Sequence, residues 1–107
     1  MWKKTSPTIK DVDFIMASDP SGNVSRAYGV WNEKSGLNQR GRFIIDPEGI
    51  VLAVEVLTGP VGRNVQELLR QIKAIQAVKA NPGMAAPAGW QPGDDMIKTG
   101  KEQIGKY

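Results

Sequence analysis

The stretch GRFIIDPEGIVLAVEV, residues 41–56, decides how the rest of the chain must be arranged. It divides into two apolar segments, residues 42–46 and 50–56, joined by Asp46-Pro47-Glu48-Gly49. Proline presets the backbone angle at the second position of a type I turn, and glycine suits the fourth, so the spacing predicts a β-hairpin. Phe43, Ile44 and Ile45, then Ile50, Val51, Leu52, Val54 and Val56, form runs rather than strict alternations. Runs of this kind suit strands covered on both faces, or nearly so. A hairpin this apolar cannot stand alone in water. The flanking chain must cover it.

The best candidate cover follows directly. Residues 57–63 read as a loop, after which Asn64 is placed to cap a helix, with Glu67 three residues on completing a capping-box-like pair. Val65, Leu68, Leu69, Ile72, Ile75 and Val78 recur at the helical period and form one apolar stripe, while Gln66, Arg70, Gln71 and Lys73 take the wet face. Asn81-Pro82-Gly83 stops the helix. About 16 residues at 1.5 Å each give roughly 24 Å, enough to lie across the hairpin. On the other side of the hairpin, residues 12–18 read as a short strand and residues 24–28 as a short helix ended by Gly29. Asp19 or Asn23 is available to cap that helix. Residues 30–39 have no clean period beyond an extended piece at Val30–Trp31. From Met84 the chain loses periodicity, and small residues and prolines surround Trp90. The expected fold is α/β: a three-stranded sheet with a central β-hairpin, one long helix and an irregular C-terminal tail. Residues 1–83 make the domain and 84–107 a tail or arm. One helix covers one face of so apolar a hairpin, so a layer is expected to be missing.

Composition narrows the chemistry. A chain of 107 residues is one domain at most by length. Its 40% hydrophobic and 23% charged residues are ordinary for a globular protein. A net charge of +3 is too small for a nucleic-acid partner, and Lys3, Lys4 and Lys10 read as a solvated face. No apolar run spans a membrane, and the first residues lack the apolar centre of a secretory signal, which points to a cytoplasmic location. The sequence has no cysteine and no histidine. Thiolate catalysis, disulfides, sulfur-ligated metal and the commonest general base are thereby removed. No metal or cofactor is expected. The segment Gly59 to Gly62 lacks the lysine and spacing of a phosphate loop. Asp94-Asp95 reads as solvated tail rather than a carboxylate pair, and Trp2 and Trp31 as packing. Trp90 is either a docked anchor at a subunit contact or a loosely packed tail residue.

Several motifs occur together in one order: Ser6-Pro7-Thr8-Ile9-Lys10, Asp19-Pro20, Ser25-Arg26-Ala27-Tyr28-Gly29-Val30, residues 40–49 (RGRFIIDPEG), Val61-Gly62-Arg63-Asn64, Pro82-Gly83 and residues 86–93 (APAGWQPG). Across residues 2–97 the chain resembles the C-terminal half of a typical two-cysteine peroxiredoxin of the alkyl hydroperoxide reductase type. The resemblance implies a partial thioredoxin-like fold and reduction of hydrogen peroxide or organic hydroperoxides. In that family a peroxidatic cysteine attacks the peroxide, and a second cysteine in the partner subunit's tail resolves the sulfenic acid. An arginine lowers the thiol pKa and orients the peroxide oxygens; by resemblance it is Arg40. Arg63, of the Val-Gly-Arg motif, corresponds to an arginine supporting the active-site network. A cation just before a helix is electrostatically disfavoured, which by itself suggests that Arg63 serves something other than the helix.

The departures carry as much information as the matches. The resolving position is Ala86, whose methyl group has no redox chemistry. The peroxidatic cysteine belongs to a segment expected before residue 1. The resemblance therefore implies a chain inactive by itself, completed by a cysteine-bearing N-terminal half and assembling as a homo-oligomer, a dimer or larger. Three readings stay open. The chain is such a peroxidase half, or a non-catalytic module that self-associates through its sheet edge and helix, or a binder of an unnamed small ligand. For Arg40 the competing reading is a strand-end cation in a salt bridge.

Overall fold

The computed structural model describes residues 5–106; Trp2, Lys3 and Lys4 lie outside the described residues. Two compact units divide the chain, one within Met1–Gln39 and the other within Arg40–Tyr107.

In the first unit the helix α1 spans Asn23–Ala27. Asp19 caps it from four residues upstream. Its carboxylate accepts from the Ser25 N–H at 2.8 Å and from the Ser25 hydroxyl at 2.6 Å, bonds that hold the carboxyl below its ordinary pKa. Gly22 makes the turn into α1 with φ 71°, and a Cβ there would come within 2.9 Å of the Trp31 ring, so the position excludes larger residues twice over. Residues 30–39, expected to be irregular, form a small hairpin of β1 (Trp31–Asn32) and β2 (Leu37–Asn38). The Asn32 side chain builds its turn by accepting from the Lys34 and Ser35 amides at 3.0 and 3.2 Å. Arg26 pairs with Glu33 at 2.8 Å and lies 4.8 Å over the Trp31 ring, so Trp31 packs as expected.

The strand expected over residues 12–18 does not form. A strand needs a ladder partner, and each described sheet has two strands, none of them in that segment. Phe14, Ile15 and Met16 are accordingly exposed, Ile15 at 95%. The expected three-stranded sheet is thus replaced by three separate two-stranded ones.

The second unit holds the hairpin and the long helix. Strands β3 (Gly41–Ile45) and β4 (Val51–Val56) pair antiparallel, with Arg42 opposite Glu55 and Ile44 opposite Ala53, and a bulge between Ile44 and Ile45. The turn is the expected one. The Gly49 N–H donates to the Asp46 carbonyl at 2.9 Å, and Asp46 Oδ1 accepts from the Glu48 and Ile50 amides at 3.0 and 2.9 Å. Gly49 has φ 85°, a conformation that glycine adopts without strain.

Helix α2 runs Val65–Ala80. Asn64 caps it by accepting from the Glu67 N–H at 3.1 Å. Lys79, in its last turn, donates to Asp46 Oδ2 at 3.0 Å, tying the helix end to the hairpin turn. No residue of α2 is fully buried, and Val65 and Leu69 on its apolar stripe stay exposed. Ile45, Ile50, Val51, Leu52, Val54 and Val56 are exposed as well, Val54 at 56%. The tail carries more order than its composition suggests: β5 (Met84–Ala85) pairs with β6 (Ile97–Lys98), and Thr99 donates through N–H and hydroxyl to the Gly83 carbonyl, both at 2.9 Å. No helix among the described residues is long and apolar enough to cross a membrane.

Candidate functional site

Arg40 stands immediately before β3 and Arg63 immediately before the cap of α2. Both are exposed, and neither has a side-chain partner among the described residues. A guanidinium in the competing strand-end salt bridge would show a carboxylate within 4 Å, and Arg40 has none among those residues. Two unpaired guanidinium groups offer five donors each to an oxygen-rich or anionic species.

A third guanidinium, Arg42, is one that sequence reading passed over. Arg42 reaches across the unit: Nη2 donates to Glu55 Oε2 at 2.9 Å, and Nη1 donates to the Asn64 carbonyl at 2.9 Å. That carbonyl also accepts from the Leu68 N–H at 3.2 Å, the first bond of the helix. Arg42 is therefore tied to the residue next to Arg63. Beside it a cavity of about 150 Å³ is lined by Arg42, Ile44, Ala53, Val54, Glu55 and Gln71. Glu55 Oε1, buried there, has no hydrogen-bond partner among the described residues. The cross-strand register supplied the signal: once Arg42 and Glu55 are opposite, opposite charges stand at pairing distance.

The Ala86 end is built against the middle of α2, and its groove shares Ala53 and Gln71 with the Arg42 cavity. Ala86, Pro87 and Ala88 line an open groove of about 250 Å³ with Ala53, Arg70, Gln71, Ala74 and Ile75. Trp90 is docked rather than loose: it is 6% exposed, and its indole N–H donates to the Asp94 carbonyl at 3.0 Å. Asp94 Oδ2 in turn accepts from the Gln91 N–H at 2.8 Å, so this acid closes a turn. Arg70, assigned above to the wet face, instead holds the tail. It donates to the Trp90 carbonyl at 3.0 Å and grips both oxygens of Glu67 at 2.7 and 2.8 Å. The Glu67 carboxylate thus faces Arg70 and Gln71, and only its N–H takes part in capping. The helical period places Arg70 opposite the apolar stripe but cannot show that the tail folds back over that face. Arg70 lowers the Glu67 carboxyl from the ordinary 4.5 to about 2, helped by Gln71 and the charge of Arg42.

Comparison with known proteins places the chain in a family. The sequence pattern of the AhpC/TSA family matches residues 2–54, and that of the C-terminal domain of 1-Cys peroxiredoxin matches residues 74–107. The chain is 40% identical over 105 residues to alkyl hydroperoxide reductase C of Amphibacillus xylanus, covering 98% of this chain and 56% of that protein. It is 50% identical over 95 residues to a selenocysteine-containing peroxiredoxin of Peptoclostridium acidaminophilum, covering 88% of this chain and 47% of that protein. Among solved structures, the reduced 2-Cys peroxiredoxin of Plasmodium vivax superposes with TM-score 0.83 at 33% identity, over 94% of this chain and 53% of the other. Enterococcus faecalis AhpC gives TM-score 0.74 at 35% identity, over 80% and 52%. The chain spans about half the length of the curated relatives it matches.

The Glu67–Arg70 pair sets a pH response. A carboxyl whose folded pKa lies below its unfolded value stabilises the fold above the unfolded pKa and loses that contribution as pH falls. The clamp on Trp90 is therefore intact above pH 4.5 and weakens as pH falls towards about 2. Solvent exchange of the Trp90 indole N–H, followed by NMR, is expected to quicken across that window. In Glu67→Gln it is expected to be faster at neutral pH and to lack this step.

Proposed function

This chain belongs to the AhpC/TSA peroxiredoxin family, and on that premise we propose that it supplies the arginine-bearing half of a hydroperoxide-reducing site. The observation that carries the reading is the pair of exposed guanidinium groups, Arg40 and Arg63, left without a carboxylate among the described residues. In this reading Arg40 faces the peroxide and the attacking thiolate, and Arg63 supports it. The thiolate, supplied by a complementary N-terminal half, attacks one peroxide oxygen. The O–O bond breaks, sulfur is oxidised to the sulfenic acid, and the other oxygen leaves with a proton as water or an alcohol. Cationic donors beside the thiolate favour its charged form and stabilise the negative charge developing on the departing oxygen.

This chain has no cysteine, and in this reading Ala86 stands at the resolving position. By itself it turns over no peroxide in this account, and an external thiol rather than an internal disulfide reduces the sulfenic acid. Residues 84–107 then act as an arm whose order depends on the Arg70 clamp instead of on disulfide exchange.

Mixing the chain with a cysteine-bearing N-terminal half of a related peroxiredoxin, with an external thiol as reductant, is expected to give peroxide consumption that neither part shows. Arg40→Ala should lower that turnover by roughly 10²–10³, as loss of one charge-stabilising donor does elsewhere, with little change in melting. No turnover from two folded halves contradicts the reading, and an unfolded Arg40→Ala chain favours a structural role for this cation.

A second reading has its own support. The exposed apolar row on β4, with Ile45 and Ile50 beside it, suits a non-catalytic module that associates with its own copies. Sedimentation distinguishes it: a folded monomer at micromolar concentration contradicts self-association.

A further inference from the structure

We propose that Arg42 is the positioning residue that holds Arg40 and Arg63 in one frame; the proposal rests on the reading of those two arginines given above. Arg42 sits two places after Arg40, as the second residue of β3, the strand that starts directly after Arg40. Through the Asn64 carbonyl it is bonded to the residue that follows Arg63. Its other tine is fixed by Glu55, directly opposite on β4.

One planar guanidinium therefore joins three parts of the unit: the strand that begins after Arg40, the strand opposite, and the segment carrying Arg63 into α2. The loop before Arg63 is long enough to need this. Residues 57–63 separate β4 from the helix, and that run contains Gly59 and Gly62. Val61 N–H bonds to the Thr58 carbonyl at 3.0 Å, within the loop itself. The Arg42–Asn64 contact comes from outside the loop and ties its end to the sheet.

Simple stabilisation explains the geometry less well. The Arg42 side chain is only 13% exposed, and the second Glu55 carboxylate oxygen is buried with no donor among the described residues. A pair kept for stability would be expected to satisfy both carboxylate oxygens, since an unmet buried acceptor works against folding. A forked donor at a fixed angle, with one tine on a carboxylate and one on a backbone carbonyl, instead supplies direction. Lysine cannot replace it, because an ammonium is a point charge on a flexible stem.

The test is backbone {¹H}-¹⁵N NOE on the whole 107-residue chain, unmodified and as Arg42→Lys and Arg42→Leu. In both variants the values at Arg63 and Asn64 are expected to fall towards those of Gly59, while Ile72 to Val78 keep theirs. Unchanged order at Arg63 overturns the proposal, and so does a uniform loss along all of α2, which marks a purely structural residue. Arg42→Lys keeps the charge and most of the stem, so it decides the matter if Arg42→Leu fails to fold. In the complemented peroxide assay Arg42→Lys should lower kcat by about tenfold to a hundredfold, the scale of a misplaced group, while its melting temperature stays near that of the unmodified chain. If the unmodified mixture shows no turnover, the peroxidase reading fails while the NOE measurement still decides the role of Arg42.

Discussion

The second unit depends on what Asp46 does at the hairpin turn. Its carbonyl accepts from Gly49, its N–H donates to the Ile50 carbonyl, and Oδ1 accepts from the Glu48 and Ile50 amides. Four bonds from one residue fix where the chain reverses, and with it the pairing register of β3 and β4. A slip of one residue would send every side chain to the opposite face. In the observed register Arg42 meets Glu55 and its free tine reaches Asn64. The remaining Asp46 oxygen holds Lys79, so one aspartate anchors the turn and the far end of α2 together. Arg42 and Lys79 thus tie the helix to the hairpin near its two ends.

Polar ties of this kind are needed because the apolar contacts are thin. No large side chain of the described residues is fully enclosed, and of the hydrophobic residues Val30 and Trp90 are the ones buried. Exposed apolar strands are an association hazard in a monomer and an interface in an assembly. The superposition covers only 53% and 52% of the two peroxiredoxin chains.

Local chemistry made much of this legible in the sequence. Asp46-Pro47-Glu48-Gly49 announced the turn, Asn64 the helix start and Asn81-Pro82-Gly83 its end, because each rests on the conformational limits of a few adjacent residues. Residues 12–18 misled because β-branched and aromatic residues show a capacity to pair, whereas a strand also requires a neighbour. Residues 30–39 misled in the other direction, since a hairpin of two-residue strands is too short to have a period. Arg42 and Arg70 also have near partners, Glu55 and Glu67, which strand register and helical spacing point to. Their longer ties were not legible, because Asn64 and Trp90 lie 22 and 20 positions away. The family motifs drew attention to Arg40, Arg63 and Ala86, but a motif carries no information about what holds its residues in place.

The account stands on the claim that these guanidinium groups act on a thiolate the chain does not contain. The most direct measurement is the pKa of the peroxidatic thiol on a complementary N-terminal half, followed by thiolate absorbance as this chain is added. The thiol is predicted to fall from near its ordinary value of about 8.5 to well below it on addition of the unmodified chain, and to stay near 8.5 with Arg40→Ala. A thiol pKa equally lowered by both chains, or moved by neither although both bind, would contradict the assignment of Arg40.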